Sequence, residues 1–223
     1  MKRLLLVVLL LPPLVWPSRA AAFSPDHLNQ VTFVNETGYD MIYMFFSPSD
    51  SEYWGADILG TARTLDSGQK LSFYVYYPDE CNTFDFLAVD QDGDAYTVWD
   101  IELCDGRTHV QSITLSAFIG PFGNLEFSAV RLHNQLQHEI HYLFVSPADA
   151  ASWGIDVLDA RTILAPDDSF DLLLLRSALE EHYDLMGVDE DLNEYQFRFL
   201  VDVAREFSFA IEYTDRRASG HAD

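Results

Sequence analysis

The turn at residues 90–94 carries three carboxylates in five positions, in the order Asp-Gln-Asp-Gly-Asp. Alternating carboxylates at a turn can converge on one hard cation. The match to an EF-hand loop fails, because Gly93 is the fourth residue from Asp90 and the twelfth is Ile101 rather than Glu. A solvated hairpin turn is the simpler interpretation. We keep Asp90, Asp92 and Asp94 as a candidate for weak Ca²⁺ binding and predict no other cofactor.

The two cysteines of the chain, Cys81 and Cys104, are spaced for a disulfide across a hairpin. A two-residue turn at Asp92-Gly93 pairs residues whose numbers add to 185, and 81 plus 104 is 185. The cysteines would face each other within disulfide reach, and closing this loop would stabilise by roughly 3 kcal/mol. A bulge would shift the register. The C-x-x-C spacing of redox-active pairs is absent.

No other group of residues predicts catalysis. His138 and His141, with His133 nearby, are three apart, so on a strand they point to opposite faces and chelate a metal poorly. The chain has no G-x-S-x-G motif, phosphate-binding loop or dinucleotide fingerprint. Acidic residues are too numerous to single out two as a glycosidase acid and base.

An internal duplication sets the architecture. Residues 35–59 return at 134–158, shifted by 99, with ten of 25 positions identical. The identical pairs are Asn35/Asn134, Tyr43/Tyr142, Phe45/Phe144, Ser47/Ser146, Pro48/Pro147, Asp50/Asp149, Trp54/Trp153, Gly55/Gly154, Asp57/Asp156 and Leu59/Leu158. The same shift carries Asp85, Asp90, Asp92 and Tyr96 onto Asp184, Asp189, Asp191 and Tyr195.

Residues kept in both copies are better suited to building a shared fold than a single active centre. We therefore take Trp54, Trp153, Asp57 and Asp156 as structural markers of the repeat. Each tryptophan is predicted to plug the core beside the glycine that follows it. The alternative is an exposed aromatic pair on which a carbohydrate stacks.

Alternating apolar and polar residues predict six strands in each copy. They lie near 30–36, 40–47, 70–77, 83–91, 95–104 and 108–115, and near 128–134, 139–146, 169–175, 183–189, 194–203 and 207–213. The segments MIYMFFS and IHYLFVS are apolar on both faces, which is typical of central strands covered on both sides.

A short helix is predicted after the second strand of each copy. The sequences from Ser47 to Asp50 and from Ser146 to Asp149 place a serine cap before proline at the first helical position. The aspartate that follows can meet free N–H groups. The predicted fold class is therefore all-β, with two tandem β-sandwich-like repeats that each contain one short helix.

The N-terminus predicts export. A basic start, an apolar run of about 13 residues and small residues up to Ala22 form a signal peptide, too short for a membrane anchor. The predicted boundaries are a signal peptide at 1–22, a β-rich repeat with the disulfide at 23–117, a connection at 118–124, a second repeat at 125–215 and a flexible tail at 216–223. The length suits two domains or one pseudo-symmetric domain equally.

The chain is strongly acidic, with a formal charge of −23. Removal of Lys2, Arg3 and Arg19 with the signal leaves ten basic residues (13 minus three) against 36 acidic ones, a charge of −26. Such a surface repels nucleic acid and anionic lipid, so neither is an expected partner. A basic partner or another envelope protein fits better, and no membrane span is expected after signal cleavage.

Copy one carries a series of short motifs, which are N-x-T-G, S-P-S, W-G-x-D-x-L-G, C, D, D-G, W and L-C in that order. They consist of Asn35, Thr37, Gly38, Ser47, Pro48, Ser49, Trp54, Gly55, Asp57, Leu59, Gly60, Cys81, Asp85, Asp92, Gly93, Trp99, Leu103 and Cys104. The series resembles the signature of a family of uncharacterised exported bacterial proteins. The resemblance implies a small β-rich module in a periplasmic or extracellular setting, and it brings no catalytic residue with it.

These observations favour an exported, non-enzymatic protein that acts by binding or by a structural role in the bacterial envelope. The ligand is not indicated. One alternative is a Ca²⁺-responsive binding module. Another is an envelope hydrolase, which would need a deep pocket with converging carboxylates or histidines.

Overall fold

The computed structural model describes residues 22–77, 81–104, 108–123, 125–176, 181–201 and 207–217. The predicted signal peptide up to residue 21, residue 124 of the predicted connection and residues 218–223 of the predicted tail lie outside these ranges. The strands are β1 (Leu28–Asn35), β2 (Met41–Pro48), β3 (Lys70–Tyr76), β4 (Cys81–Asp90), β5 (Asp94–Cys104), β6 (Thr108–Ile113), β7 (Phe118–Pro121), β8 (Phe127–Asn134), β9 (Ile140–Pro147), β10 (Gly154–Ile155), β11 (Ser169–Leu175), β12 (Glu181–Asp189), β13 (Glu194–Val201) and β14 (Phe207–Ile211).

Each copy forms a sandwich of two sheets with the same strand order. In copy one these are β3-β1-β6 and β2-β4-β5-β7, and in copy two β11-β8-β14 and β13-β12-β9. The pairs β1–β6 and β8–β14 are parallel, and the other strand pairs are antiparallel. The predicted all-β class is confirmed, and all twelve predicted strands are present. The strands β7 and β10 were not predicted.

The strands β2 and β9 are buried on both faces, as their apolar sequences predict. Met44 and Phe46 face the core of copy one, whereas Phe45 faces a second cluster that contains Phe127 and Leu175 of copy two. The two strands nevertheless stand at the edges of their sheets rather than in the centre. They are covered on the outer face because the other repeat packs there.

The predicted short helix of each copy is wrong. The Ser-Pro pairs end β2 and β9, and a single turn follows each of them; no α-helix occurs among the described residues. The free N–H groups after this turn are capped across the two copies. Asp149 accepts from the Ser51 hydroxyl (2.8 Å) and the Glu52 N–H (3.0 Å), and Asp50 accepts from the Ala151 N–H (3.0 Å). Since the caps come from the other copy, no local helix is stabilised.

The two copies also exchange short strands. β10 of copy two pairs with Val75 and Tyr76 of copy one, and in return Ala56 of copy one bridges Leu174 of copy two. The Asp57 and Asp156 N–H groups donate to partners in the opposite copy at 2.8 Å. The acceptors are the carbonyls of Leu173 and Tyr74, which are themselves 99 residues apart. The contacts therefore repeat about an approximate twofold axis.

The predicted connection is partly a strand. Phe118–Pro121 forms β7, which extends the sheet of copy one by pairing with β5. Phe122 packs into the cluster between the copies, but Phe118 and Ile119 are about half exposed. No helix in the described part of the chain is long and apolar enough to cross a bilayer.

Candidate functional site

Asp57 and Asp156 lie at the point where the copies exchange strands. In each, Oδ1 accepts two backbone N–H groups, from Met44 and Leu59 or from Leu143 and Leu158, at 2.9–3.2 Å. The other oxygen is buried, with no hydrogen-bond partner in the described structure. Burial raises the pKa to about 7 for Asp57 and about 8 for Asp156, against the backbone hydrogen bonds that lower it.

The carboxylate of Asp90 organises the hairpin turn. Its Oδ1 accepts the N–H groups of Asp92 (2.9 Å) and Asp94 (3.0 Å), and its Oδ2 accepts the Tyr96 hydroxyl (3.0 Å). Asp189 makes the same contacts in copy two, with Tyr195 at 2.9 Å. Both oxygens of Asp90 are thus engaged by the protein. Ca²⁺ binding by Asp90, Asp92 and Asp94 stays a prediction, which a larger rise in Tm with CaCl₂ than with MgCl₂ would support.

The disulfide between Cys81 and Cys104 is present, as the spacing predicts. Its register arises differently from the prediction. Near the turn, the residue numbers of paired residues add to 184, as in Val89 with Ala95. The turn is longer than the predicted two-residue turn, and Gly93 adopts a φ of 84° in it. A bulge farther along adds one residue and restores the sum of 185 at the cysteines. At a shift of 99 the corresponding positions of copy two are Glu180 and Val203, and both lie outside the described residues.

The bulge distinguishes the two copies. In β5, Trp99 and Asp100 together oppose Asp85, whereas in copy two only Arg198 opposes Asp184. Asp100 has a φ of 55°, which is strained for a residue other than glycine. Beyond this point, equivalent residues of the two copies differ in number by 98 instead of 99. The parallel strands show this, because β6 pairs with β1 as β14 pairs with β8 when their residue numbers differ by 98. Copy one therefore carries one extra residue at its bulge.

Asp85 holds the bulge from the neighbouring strand. Its Oδ1 accepts the backbone N–H of Asp100 (2.9 Å) and the hydroxyl of Ser49 (2.7 Å). In copy two the equivalent Asp184 instead forms a bidentate pair with Arg198, at 2.6 and 2.8 Å. Asp85 is therefore engaged by the backbone of the bulge and by Ser49, whereas Asp184 is engaged by a side chain of the facing strand.

Trp99 and Trp54 form an aromatic shelf on copy one. Trp99 is 57% exposed, and its ring centre lies 5.8 Å from that of Trp54 with the planes tilted by 36°. Trp54 is half-buried, since its other side packs on the cluster that contains Phe45 and Leu87. Trp153 is buried, at 6% exposure, against Phe23 and Phe144. The duplicated tryptophans thus occupy different environments.

The histidines of copy two pair with acids at the surface. The His138 ring lies 2.8 Å from Glu190, which raises the pKa of His138 through a hydrogen bond, and His141 lies 3.3 Å from Glu139. His138, Glu190 and Asp189 each bring one ligand atom to within 4.8 Å of the others. Both oxygens of Asp189 already accept protein hydrogen bonds, so this group does not form a built metal site.

A shallow depression of about 200 Å³ lies at the seam between the copies. Tyr74 of copy one and Tyr142 of copy two meet there edge to face, 6.1 Å apart. The carboxylate beside them, Asp159, accepts the N–H groups of Arg161 and Thr162 and forms an ion pair with an arginine of copy one. The depression therefore holds one acid, already engaged, and His141, which pairs with Glu139, rather than the converging carboxylates or histidines that a hydrolase would use.

Sequence reasoning missed Trp99 as a site residue. It appears in the sequence only as one tryptophan of the family signature, and Trp54 was assigned to the core. The available signal was the comparison at a shift of 99, which sets Trp99 against Arg198. When one copy of a duplicated fold has a large apolar side chain and the other has a charged one at the equivalent position, that position is exposed in at least one copy.

The chain shows little similarity to known proteins. No protein-family model matches the chain, and no curated protein matches it. A candidate adhesin from Bacteroides ovatus aligns over 83% of this chain and 90% of its own, with 7% identity and a TM-score of 0.27. The family 26 carbohydrate-binding module of Eubacterium rectale Amy13K, solved with maltoheptaose, aligns over 82% and 90%, with 10% identity and a TM-score of 0.23. TM-scores of this size do not indicate a common fold.

Proposed function

We propose that the protein is an exported, non-enzymatic binding module of the bacterial envelope that holds a neutral carbohydrate chain on the shelf formed by Trp54 and Trp99. The observation that carries the proposal is the exposed ring of Trp99, leaning on Trp54 and set in place by a bulge that copy two lacks. Large exposed aromatic side chains mark interaction sites more often than chance, because desolvating them favours binding.

The chemistry of the shelf favours a sugar over other ligands. The carbon–hydrogen face of a pyranose ring is apolar and matches the face of an indole. Its hydroxyl groups can donate to the carboxylates of Asp85 and Asp100 beside the tryptophans. The strong negative charge of the chain repels polyanions, so an uncharged polysaccharide is the fitting class.

Affinity electrophoresis tests this proposal, with soluble starch, mixed-linkage β-glucan and xylan cast separately into native gels. We expect at least one polymer to retard the protein. Trp99→Ala should weaken that retardation by at least tenfold in apparent affinity, as loss of a central aromatic contact does. Tyr213→Ala, which removes a half-exposed aromatic ring from copy two, is the matched control and should behave as the unaltered protein.

A deletion of Asp100 tests the role of the bulge separately. Removing this residue brings β4 and β5 into the continuous register of copy two while keeping Cys81 opposite Cys104. The deletion variant should keep its disulfide, change its near-ultraviolet circular dichroism and lose binding. Equal retardation of the unaltered protein, Trp99→Ala and the deletion variant would contradict the proposal, as would a failure of every polymer to retard the protein.

A further inference from the structure

Two phenylalanines 99 residues apart, Phe23 and Phe122, fill equivalent slots in the two copies. The ring of Phe23 lies 5.3 Å from that of Tyr142 and 6.0 Å from that of Phe144, beside the buried Trp153. Phe122 packs against the cluster formed by the copy-one equivalents of these residues. The side chains of both phenylalanines therefore serve the same packing role.

Their backbone nitrogens meet different acceptors. The Phe122 N–H donates to the carbonyl of Gly93 at 3.0 Å. The nitrogen of Phe23 instead lies 2.5 Å from Oε1 of Glu194. The residue of copy one that corresponds to Glu194 is Ala95. A carboxylate thus occurs at the slot of Phe23 and is replaced by a methyl group at the slot of Phe122.

Glu194 is well buried, since its side chain is 8% exposed. Its second oxygen accepts from the Gln196 amide at 2.6 Å and lies 3.4 Å from the guanidinium of Arg217. An ordinary peptide N–H needs only a carbonyl acceptor, as the slot of Phe122 demonstrates. A buried carboxylate is better matched by cations, because a neutral donor leaves much of its desolvation cost uncompensated. Arg217 supplies one cation at Oε2, and the nitrogen of Phe23 lies at Oε1.

We infer that the chain is cleaved between Ala22 and Phe23, and that the freed α-ammonium of Phe23 binds Glu194. In this step, catalysed by a signal peptidase, water adds across the amide bond. The carboxylate leaves with Ala22, and the nitrogen of Phe23 takes up protons to become an ammonium. The ammonium then forms a charge-assisted hydrogen bond with Oε1 while the ring fills its slot.

The burial of the two residues sets the order of events. Ala22 is exposed, but Phe23 is only 7% exposed, so a protease cannot grip both sides of the bond once the ring is docked. Cleavage therefore precedes docking. The new N-terminus acts as an internal ligand that joins β13 of copy two to the start of copy one.

The inference rests on export, which is part of the proposed function, but not on the tryptophan shelf. The first test is N-terminal sequencing of the protein recovered after export, which should begin at Phe23. A different first residue overturns the inference. Retardation by polysaccharides, measured on the same material, reports separately on the proposed function.

The second test compares two forms of the mature protein, one beginning at Phe23 and one beginning at Ala21. The form beginning at Phe23 should have a Tm higher by about 5–10 °C, because only it offers an ammonium to Glu194. Glu194→Gln should remove most of this difference, and Glu190→Gln, an exposed acid nearby in sequence, should preserve it. Equal Tm values for the two forms, or a difference that survives Glu194→Gln, overturns the inference even if sequencing finds Phe23.

Discussion

The hairpins β4–β5 and β12–β13 begin with the same aspartate–tyrosine turn and end differently. In copy two the strands stay in one register, and Arg198 pairs with Asp184. In copy one an extra residue breaks the register, Asp85 turns to the backbone of Asp100, and Trp99 is presented to solvent. Copy one therefore has one more residue here than copy two, and an exposed aromatic surface lies where copy two has a charge pair.

The same contrast recurs where the copies end. Phe118 and Ile119 of β7 are exposed, whereas the positions 98 residues later are Arg216 and Arg217. Arg216 still bridges Tyr195, as Phe118 pairs with Tyr96, so the backbone arrangement is shared. Charged side chains protect a sheet edge from unwanted pairing, and copy one lacks that protection. Copy one thus has the more apolar surface both at the bulge and at β7.

The largest expected effect is the pH dependence of stability, which arises from the buried aspartates that the copies share, Asp57 and Asp156. Burial raises the pKa of Asp57 to about 7 and of Asp156 to about 8, whereas an unfolded chain holds it near 3.8. The folded protein therefore keeps protons that the unfolded chain releases. The free energy of unfolding should fall as the pH rises from about 4 to about 8, by on the order of several kcal/mol.

Urea unfolding at pH 5 and at pH 8.5 measures this loss. Asp57→Asn and Asp156→Asn remove one titrating group each, so each variant should lose less stability over the interval than the unaltered protein. The comparison uses the slope against pH rather than the absolute stability, because an amide leaves its own NH₂ group buried. A slope that neither variant reduces would show that these aspartates do not carry the pH dependence.

The next largest effect is the loss of stability on replacing a tryptophan, which should differ between Trp153 and Trp54. Trp153→Ala removes a buried ring and should destabilise by about 3–5 kcal/mol. Trp54→Ala removes a half-buried ring, so its loss should be about 1–2 kcal/mol, accompanied by loss of polysaccharide binding. Chemical denaturation and affinity electrophoresis of both variants measure the two losses. Equal destabilisation, with binding intact in both, would remove the distinction between core and surface that we draw.

The disulfide gives an effect of similar size in copy one alone. Replacing Cys81 and Cys104 together by serine should lower the free energy of unfolding by roughly 3 kcal/mol, because the unfolded chain regains the freedom of the closed loop. Denaturant titration of the oxidised protein and of the double variant checks this value. Thiol titration of denatured, unreduced protein should find no free thiol, and two free thiols in exported material would contradict the bond.

The smallest effect should come from the charge pair of copy two. Arg198→Ala removes a partly exposed partner of Asp184, and such pairs contribute about 1 kcal/mol or less. Polysaccharide binding should not change. Trp99→Ala, at the equivalent place in copy one, should also cost less than about 1 kcal/mol, yet weaken binding by at least tenfold. If Arg198→Ala impaired binding as strongly, the ligand surface would extend onto copy two.

Local patterns in the sequence predict the strands well, because alternation and turn residues act within a few positions. The predicted helix shows where such reasoning ends. Serine, proline and aspartate after Ser47 have the local pattern of a helix start, but the free N–H groups at this turn are satisfied by Asp149 of the other copy. A preference of this kind is decided by a contact 97 residues away, which no local pattern contains.

The prediction of the disulfide was right with an incomplete reason. The turn at Gly93 is longer than assumed, and the bulge at Asp100 compensates for the difference. Whether a bulge forms depends on Asp85 and Ser49, which meet across strands. The aromatic shelf follows from that bulge, so the sequence could predict the tryptophans as residues of interest but not the exposure of Trp99.

The exchange of short strands has a consequence for the export that we propose. A chain that crosses a membrane from its N-terminus delivers copy one first, but the sheet β3-β1-β6 of copy one is completed by Gly154 and Ile155 of copy two. The edge of β3 therefore stays unpaired until Gly154 and Ile155 have crossed the membrane. Unpaired strand edges invite aggregation, so a slow or interrupted crossing exposes the molecule at its most vulnerable stage.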